Sequence, residues 1–267
     1  MYYTLLLLSW LYIGYSYDEN IGIHGVNLAQ ATYSVSNVNE WNCKTCDSSI
    51  ILTNIVENHG VKALQGYDTY TNCIFTSFRG SSNIENWIHN IQIKKVSPYN
   101  NSDILVSKGF YTDYMYVKSE ILNNLSILER KYNNSNIFLT GHSLGAALST
   151  LLAFDIINEL DNYKLKYLVT YGSPRVGNNY FSSNMNSYTY ISYRITHYYD
   201  SVPHLPTESM GYQHISNEIW YNEENSKYDI CNDSLYEDDT CSNVCAPINC
   251  TNTDHLYYLN VSMGNNI

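Results

Sequence analysis

Gly141-His142-Ser143-Leu144-Gly145 is the run whose residue types point most directly to chemistry. It has the form G-x-S-x-G, in which a serine between two glycines serves as a nucleophile. The preceding segment 135–140 (SNIFLT) reads as a buried strand. The following segment 146–160 (AALSTLLAFDIINEL) reads as a helix with apolar residues on more than one face. A strand that turns straight into a helix crowds its own backbone. Glycine two positions either side of Ser143 relieves the crowding, while the serine is held in a strained conformation. The turn lifts its hydroxyl clear of the sheet edge, where a substrate carbonyl can reach it.

A serine hydroxyl needs a base within hydrogen-bond reach, and the base needs an orienting carboxylate. On this kind of turn they follow in chain order as Asp or Glu, then His. Residues 190–197 (YISYRITH) have strand character and run into a Pro-bounded turn that carries Asp200. Asp200 thus follows the C-terminal end of a strand, where ligand-facing groups gather in open α/β sheets. Its plainer role would be to cap the turn. Three histidines come later. His204 shares the Asp200 loop, His214 opens a strand expected over 213–221, and His255 follows a cysteine-rich segment. His255 best suits a base that folds back from a separate loop, and His214 is the second candidate. His142 points elsewhere by the geometry of the turn. A base must be neutral to act, so activity should rise with pH through roughly 6 to 7.

The reaction also needs donors for the negative oxygen of its tetrahedral intermediate. The backbone N–H of Leu144 is one. A loop after an earlier strand should supply the other, and Arg79-Gly80-Ser81-Ser82 follows the strand-like 75–78. Ile84, Trp87, Ile88 and Ile91 then fall at i, i+3, i+4 and i+7, the stripe of a short amphipathic helix. Core packing explains that stripe as well as a lid over the site does.

The elements that hold these groups must fit a chain of 267 residues, within the range of one large α/β domain. At 44% hydrophobic it can bury a sizeable core. A net charge of −11 without a basic run argues against nucleic acid and against charge-driven docking to anionic membranes. Residues 1–16 read as a signal peptide: an apolar core over 5–13 precedes small residues at Gly14 and Ser16, although no Lys or Arg precedes the core. The apolar run is short for a membrane span, and no other segment approaches one. Six N-x-[ST] sequons, at Asn100, Asn124, Asn133, Asn232, Asn249 and Asn260, agree with export, although an Asn-rich chain makes such triplets by chance. An exported chain would oxidise most of its seven cysteines. Cys43 with Cys46, Cys231 with Cys241, and Cys245 with Cys250 are reasonable pairs, and Cys73 in a strand-like run suits a buried free thiol. A zinc site built on Cys43-x-x-Cys46 is the rival reading.

Seven segments in order resemble the class 3, fungal-type triacylglycerol lipases. They are Trp41-Asn42-Cys43-Lys44-Thr45-Cys46, Phe78-Arg79-Gly80-Ser81-Ser82-Asn83-Ile84-Glu85-Asn86-Trp87, Gly109-Phe110, Gly141-His142-Ser143-Leu144-Gly145, Thr170-Tyr171-Gly172-Ser173-Pro174-Arg175-Val176-Gly177-Asn178, Asp200-Ser201-Val202-Pro203-His204-Leu205-Pro206 and Asp254-His255-Leu256. The resemblance runs from about residue 24 to 260. It implies an α/β-hydrolase fold over 17–267: a mostly parallel central sheet flanked by helices, with a short amphipathic lid helix. It implies Ser143 as nucleophile, Asp200 as carboxylate, His255 as base, and Ser81 with Leu144 as oxyanion donors. It places a lid at about 84–90, led by Ile84, Trp87 and Ile88, and favours the Cys43–Cys46 and Cys231–Cys241 disulfides. One departure is that no cysteine before Cys43 or after Cys250 can make the further disulfide by which some members tie their ends together.

The expected protein is a secreted or lumenal monomer that hydrolyses acylglycerols at a lipid–water interface without metal or cofactor. Phospholipase A1 and feruloyl esterase activity are the alternatives on the same scaffold. A catalytically dead lipid-binding or adhesion protein is the remote one.

Overall fold

A computed structural model of the chain describes residues 16–232, 237–246 and 249–264. The leader expected at the N-terminus lies outside the described residues except for Ser16.

Five helices are present among the described residues: α1 (Glu19–Ser34), α2 (Ile84–Asn90), α3 (Lys108–Tyr132), α4 (Leu144–Glu159) and α5 (Asn179–Asn186). The main strands are β1 (Ile50–Asn58), β2 (Val61–Asp68), β3 (Cys73–Phe78), β6 (Asn136–His142), β7 (Lys164–Tyr171), β8 (Ile191–His197), β9 (Glu218–Tyr221) and β10 (Tyr228–Ile230). Two short hairpins complete the set, β4 (Lys95–Val96) with β5 (Val106–Ser107), and β11 (Tyr257–Tyr258) with β12 (Val261–Ser262). The main sheet has the order β1-β2-β3-β6-β7-β8-β9-β10. Strands β3, β6, β7, β8 and β9 are parallel, and the pairs at either margin are antiparallel.

Both faces of the sheet are covered, so its central strands are apolar on both sides. Along β3 and β6, Ile74, Phe78, Ile137 and Leu139 face a core shared with α3 and α4. Their neighbours Cys73, Phe75 and Phe138 face α1 and the β11–β12 hairpin. Helix α3 buries one stripe, Phe110, Tyr114, Val117, Ile121, Leu125 and Leu128, at the spacing of an amphipathic helix. Helix α4 is buried nearly all round, from Gly145 through Ile156, because it is wedged between the sheet and α3. Cys73 is a buried free thiol.

The chain departs from the expected strand over 213–221: only Glu218–Tyr221 joins the main sheet, while Gln213 bridges Gly177 instead. The Asn217 carbonyl still accepts the Arg194 N–H at 3.0 Å, but Asn217 takes a left-handed φ of 70° and the Ile215 carbonyl accepts from Arg194 Nε at 3.2 Å, so the chain turns away from the sheet before Glu218. Asn124 lies in the buried stripe and its amide donates to Gln65 Oε1 at 3.0 Å, so this sequon is not a surface one.

The parallel strands matter for function because their C-terminal ends converge. Phe78, His142, Tyr171 and His197 end four adjacent strands, and the loops that leave them carry Gly80, Ser143, Gly172 and Asp200.

Candidate active site

Ser143 sits between β6 and α4 with φ 59° and ψ −126°, a conformation disfavoured for a residue with a Cβ. The surrounding glycines make it possible. A Cβ on Gly141 would fall 2.4 Å from the Gly145 backbone, and one on Gly145 would fall 2.2 Å from the Phe78 carbonyl. The Ser143 N–H is held by the Tyr171 carbonyl at 2.9 Å, which pins the turn to the neighbouring strand.

His255 Nδ1 donates to Asp200 Oδ2 at 2.7 Å. The other carboxylate oxygen accepts the Val202 N–H at 2.8 Å, and the Tyr258 hydroxyl donates to Oδ2 as well. Burial pushes the Asp200 carboxyl up, but the His255 charge and these hydrogen bonds outweigh it, so its pKa lies below the ordinary carboxylate value. With Asp200 accepting at Nδ1, His255 presents Nε2 as its free nitrogen. Ser143 Oγ and His255 Nε2 are both buried without a hydrogen-bond partner. These are the two atoms between which a proton would pass.

Gly172 explains part of the Thr170–Asn178 motif. Its φ is +54°, and a Cβ there would lie 2.8 Å from both Asp200 Oδ2 and His255 Cε1. Arg175 from the same run is buried and bidentate to Glu237, with Nε and Nη2 each at 2.8 Å, which anchors the loop. Thr251 accepts the Ser201 N–H at 3.0 Å and donates to the Tyr199 carbonyl at 2.7 Å, so the segment carrying His255 is stitched to the Asp200 loop.

The two expected oxyanion donors flank the turn. Leu144 is the first residue of α4, where a backbone N–H has no intrahelical partner. The Ser81 hydroxyl donates to the Asn83 carbonyl at 3.2 Å and so is engaged in its own loop. Gly80 brings that loop against Ser143: a Cβ on it would fall 3.1 Å from Ser143 Cβ.

Helix α2 is capped by the Asn83 side chain, which accepts the Asn86 N–H at 3.0 Å. Ile84, Trp87 and Ile88 are half-buried. Trp87 stacks on Phe110 with ring centroids 6.0 Å apart, and Trp87 and Ile91 pack on the core that also includes Leu144.

The remaining candidates lie elsewhere. His214 Nε2 donates to the Pro203 carbonyl at 2.7 Å, and burial, then Arg194 and Arg175, holds its pKa well below the histidine range. It is a neutral histidine committed to the backbone. His204 Nε2 faces Cys245 Sγ at 3.5 Å. The described residues contain the disulfides Cys43–Cys46, Cys231–Cys241 and Cys245–Cys250. The sulfurs that group with His204 and with Asp238 are therefore disulfide sulfurs rather than thiolates.

Three groups support the site without a role assigned from the sequence: Tyr258 and Tyr33 were not singled out, and His142 was set aside as pointing away from the reaction. Tyr258 bonds Asp200, His142 Nε2 meets the His255 carbonyl at 2.8 Å, and Tyr33 Oη meets His142 Nδ1 at 2.8 Å. Only the position of Tyr258, three residues after His255, carried a hint among 28 tyrosines.

The model of the family Lipase (class 3) matches residues 75–210. The Rhizomucor miehei lipase is 32% identical over 232 residues, covering 84% of this chain and 63% of that protein. The secreted mono- and diacylglycerol lipase 1 of Fusarium solani is 34% identical over 179 residues, covering 65% of this chain and 52% of that protein. Among solved structures, lipase II of Rhizopus niveus superposes with a TM-score of 0.86 at 25% identity, over 92% of this chain and 96% of that one. The chain thus spans between half and two thirds of the length of the two sequence relatives. With the family model covering half of its length and the fold matching throughout, the chain belongs to the class 3 lipase family.

Proposed function

We propose that the protein is a serine carboxylester hydrolase that cleaves acylglycerols at a lipid–water interface. The observation that carries this reading is the strained Ser143 beside a buried His255–Asp200 pair, with Ser143 Oγ and His255 Nε2 the unpartnered atoms. The name of the Fusarium solani relative, a mono- and diacylglycerol lipase, supports acylglycerols as the substrate class.

Ser143 Oγ attacks the acyl carbon as His255 Nε2 takes its proton, and Asp200 stabilises the imidazolium. The carbonyl oxygen becomes an anion, held by the N–H groups of Ser81 and Leu144. The C–O bond breaks, and the alcohol leaves with the proton from His255. Water then attacks the acyl-enzyme, gives its proton to His255, and the fatty acid departs as Ser143 is reprotonated.

Ser143 and His255 are 0% exposed and Asp200 is 1% exposed, so an acyl chain reaches them only if a cover moves. Helix α2 is that cover in this account. Its Ile84, Trp87 and Ile88 face would exchange the Phe110 contact for lipid. Export of a monomer through a leader at residues 1–16 completes the proposal, with the three disulfides in its support.

Emulsified long-chain triglyceride, phosphatidylcholine and methyl ferulate, assayed in parallel with wild type and Ser143→Ala, test the reading. Triglyceride turnover that rises sharply above the solubility limit and disappears in the variant is expected. Turnover confined to phosphatidylcholine or ferulate would move the substrate class, and no Ser143-dependent turnover on any ester would overturn the proposal.

A further inference from the structure

We infer that Tyr33 and His142 form a positioning bracket that joins the oxyanion loop, the nucleophile turn and the base loop; this rests on the ester-hydrolase reading of the same site. The bracket starts on α1, far from the triad in sequence. The buried Tyr33 hydroxyl lies 2.8 Å from His142 Nδ1. The Gly80 backbone packs directly against the same hydroxyl: a Cβ on Gly80 would fall 2.1 Å from it. On its other side, His142 Nε2 lies 2.8 Å from the His255 carbonyl.

Donor and acceptor roles follow from the chemistry of these atoms. A carbonyl only accepts, so His142 Nε2 carries the proton and, in a neutral ring, Nδ1 is bare. Nδ1 then accepts the Tyr33 O–H. Full burial, then the adjacent His255, holds the His142 pKa well below the histidine range, in keeping with a neutral ring. Donation runs in one direction, Tyr33 to His142 and His142 to His255, with Gly80 packed against the Tyr33 hydroxyl at its start.

The bracket fixes what the Asp200 bond alone does not. Asp200 orients the His255 ring, whereas His142 holds its backbone. Gly80 precedes the expected oxyanion donor Ser81, so the same chain sets where the loop stands relative to Ser143. The His142 and His255 rings are 4.4 Å apart, so a neutral His142 lets His255 become an imidazolium without a second cation beside it.

The test compares Tyr33→Phe, His142→Leu and His142→Gln, with kcat divided by the Ser143 sites titrated by a fluorophosphonate. Phe removes the hydroxyl, Leu removes both ring nitrogens, and Gln keeps a donor and an acceptor. Tyr33→Phe and His142→Leu are expected to lower kcat per site about 10- to 100-fold, with KM within about twofold, and Gln to recover most of it. Loss of titratable sites or of thermal stability at unchanged kcat per site would overturn the bracket and leave a packing role. A second readout does not depend on turnover. Imidazole ¹⁵N shifts of the wild type at pH 7 are expected to show His142 as the Nε2–H tautomer. An Nδ1–H tautomer or an imidazolium would overturn the inference. A wild type inactive on every ester would instead contradict the hydrolase reading, while the tautomer still decides the hydrogen-bond chain.

Discussion

Around Asp200 the polar atoms are tied across the fold, whereas Ser81, Asn83, Asn86 and Asn90 bond to one another. Asp200 binds Val202, His255 and Tyr258, and Thr251 stitches the base segment to the same loop. In the second region, Ser81 bonds Asn83, Asn83 caps at Asn86, and Asn90 returns to Asn86. Across the fold, Trp87 of this segment stacks on Phe110 through an apolar contact. Preorganised charge needs partners that hold still through the reaction. A cover needs contacts that lipid can replace, and an apolar stripe on a seven-residue helix meets that need.

The largest effect should come from the rigid region. Asp200→Asn removes the charge that faces His255, and kcat should fall about 10³- to 10⁴-fold with KM little changed, measured on a soluble short-chain ester. Gly172→Ala should come next. Its methyl would press on Asp200 and His255 at a left-handed φ, which should destabilise the fold by about 1–3 kcal/mol in denaturant melts and lower kcat. Trp87→Ser probes the other region and should separate two activities. Emulsion hydrolysis should drop about tenfold while soluble-ester turnover stays within about twofold. Equal losses on both substrates would make α2 part of the rigid site and erase the distinction.

Acid should produce the smallest and most graded effect. His142 and His214 are buried neutral, with pKa values held well below the ordinary 6.5. The unfolded chain therefore binds more protons just below pH 6.5, and stability falls as pH decreases from there. Asp200 and Glu237 have lowered pKa values, so their stabilisation is present above their unfolded pKa values and is lost as pH falls through the folded ones. Two acid phases in thermal stability are expected, the first beginning near pH 6.5. His142→Gln should weaken only the first.

The parts visible in the sequence are those fixed by local geometry. Glycines two residues either side of Ser143 and the Asp200 turn after a strand are short-range patterns, and the resemblance added their order. The supporting groups are long-range. Tyr33 and His142 are separated by 109 residues, and His142 and His255 by 113, so no spacing rule could pair them. Of the strand expected over 213–221 only Glu218–Tyr221 joins the sheet, for a related reason: Gln213 bridges Gly177 and the Ile215 carbonyl accepts from Arg194 Nε. Gly172 sat in a recognised motif, yet its purpose appears only where Asp200 and His255 close around it.

The central claim is that Ser143 is an activated nucleophile beneath a cover that lipid displaces. Its most direct test is the rate at which a fluorophosphonate labels the protein, mapped by peptide mass, with and without a dispersed lipid interface. The account predicts one adduct, on Ser143, forming faster when the interface is present. An adduct elsewhere, no adduct, or a rate indifferent to the interface would contradict it.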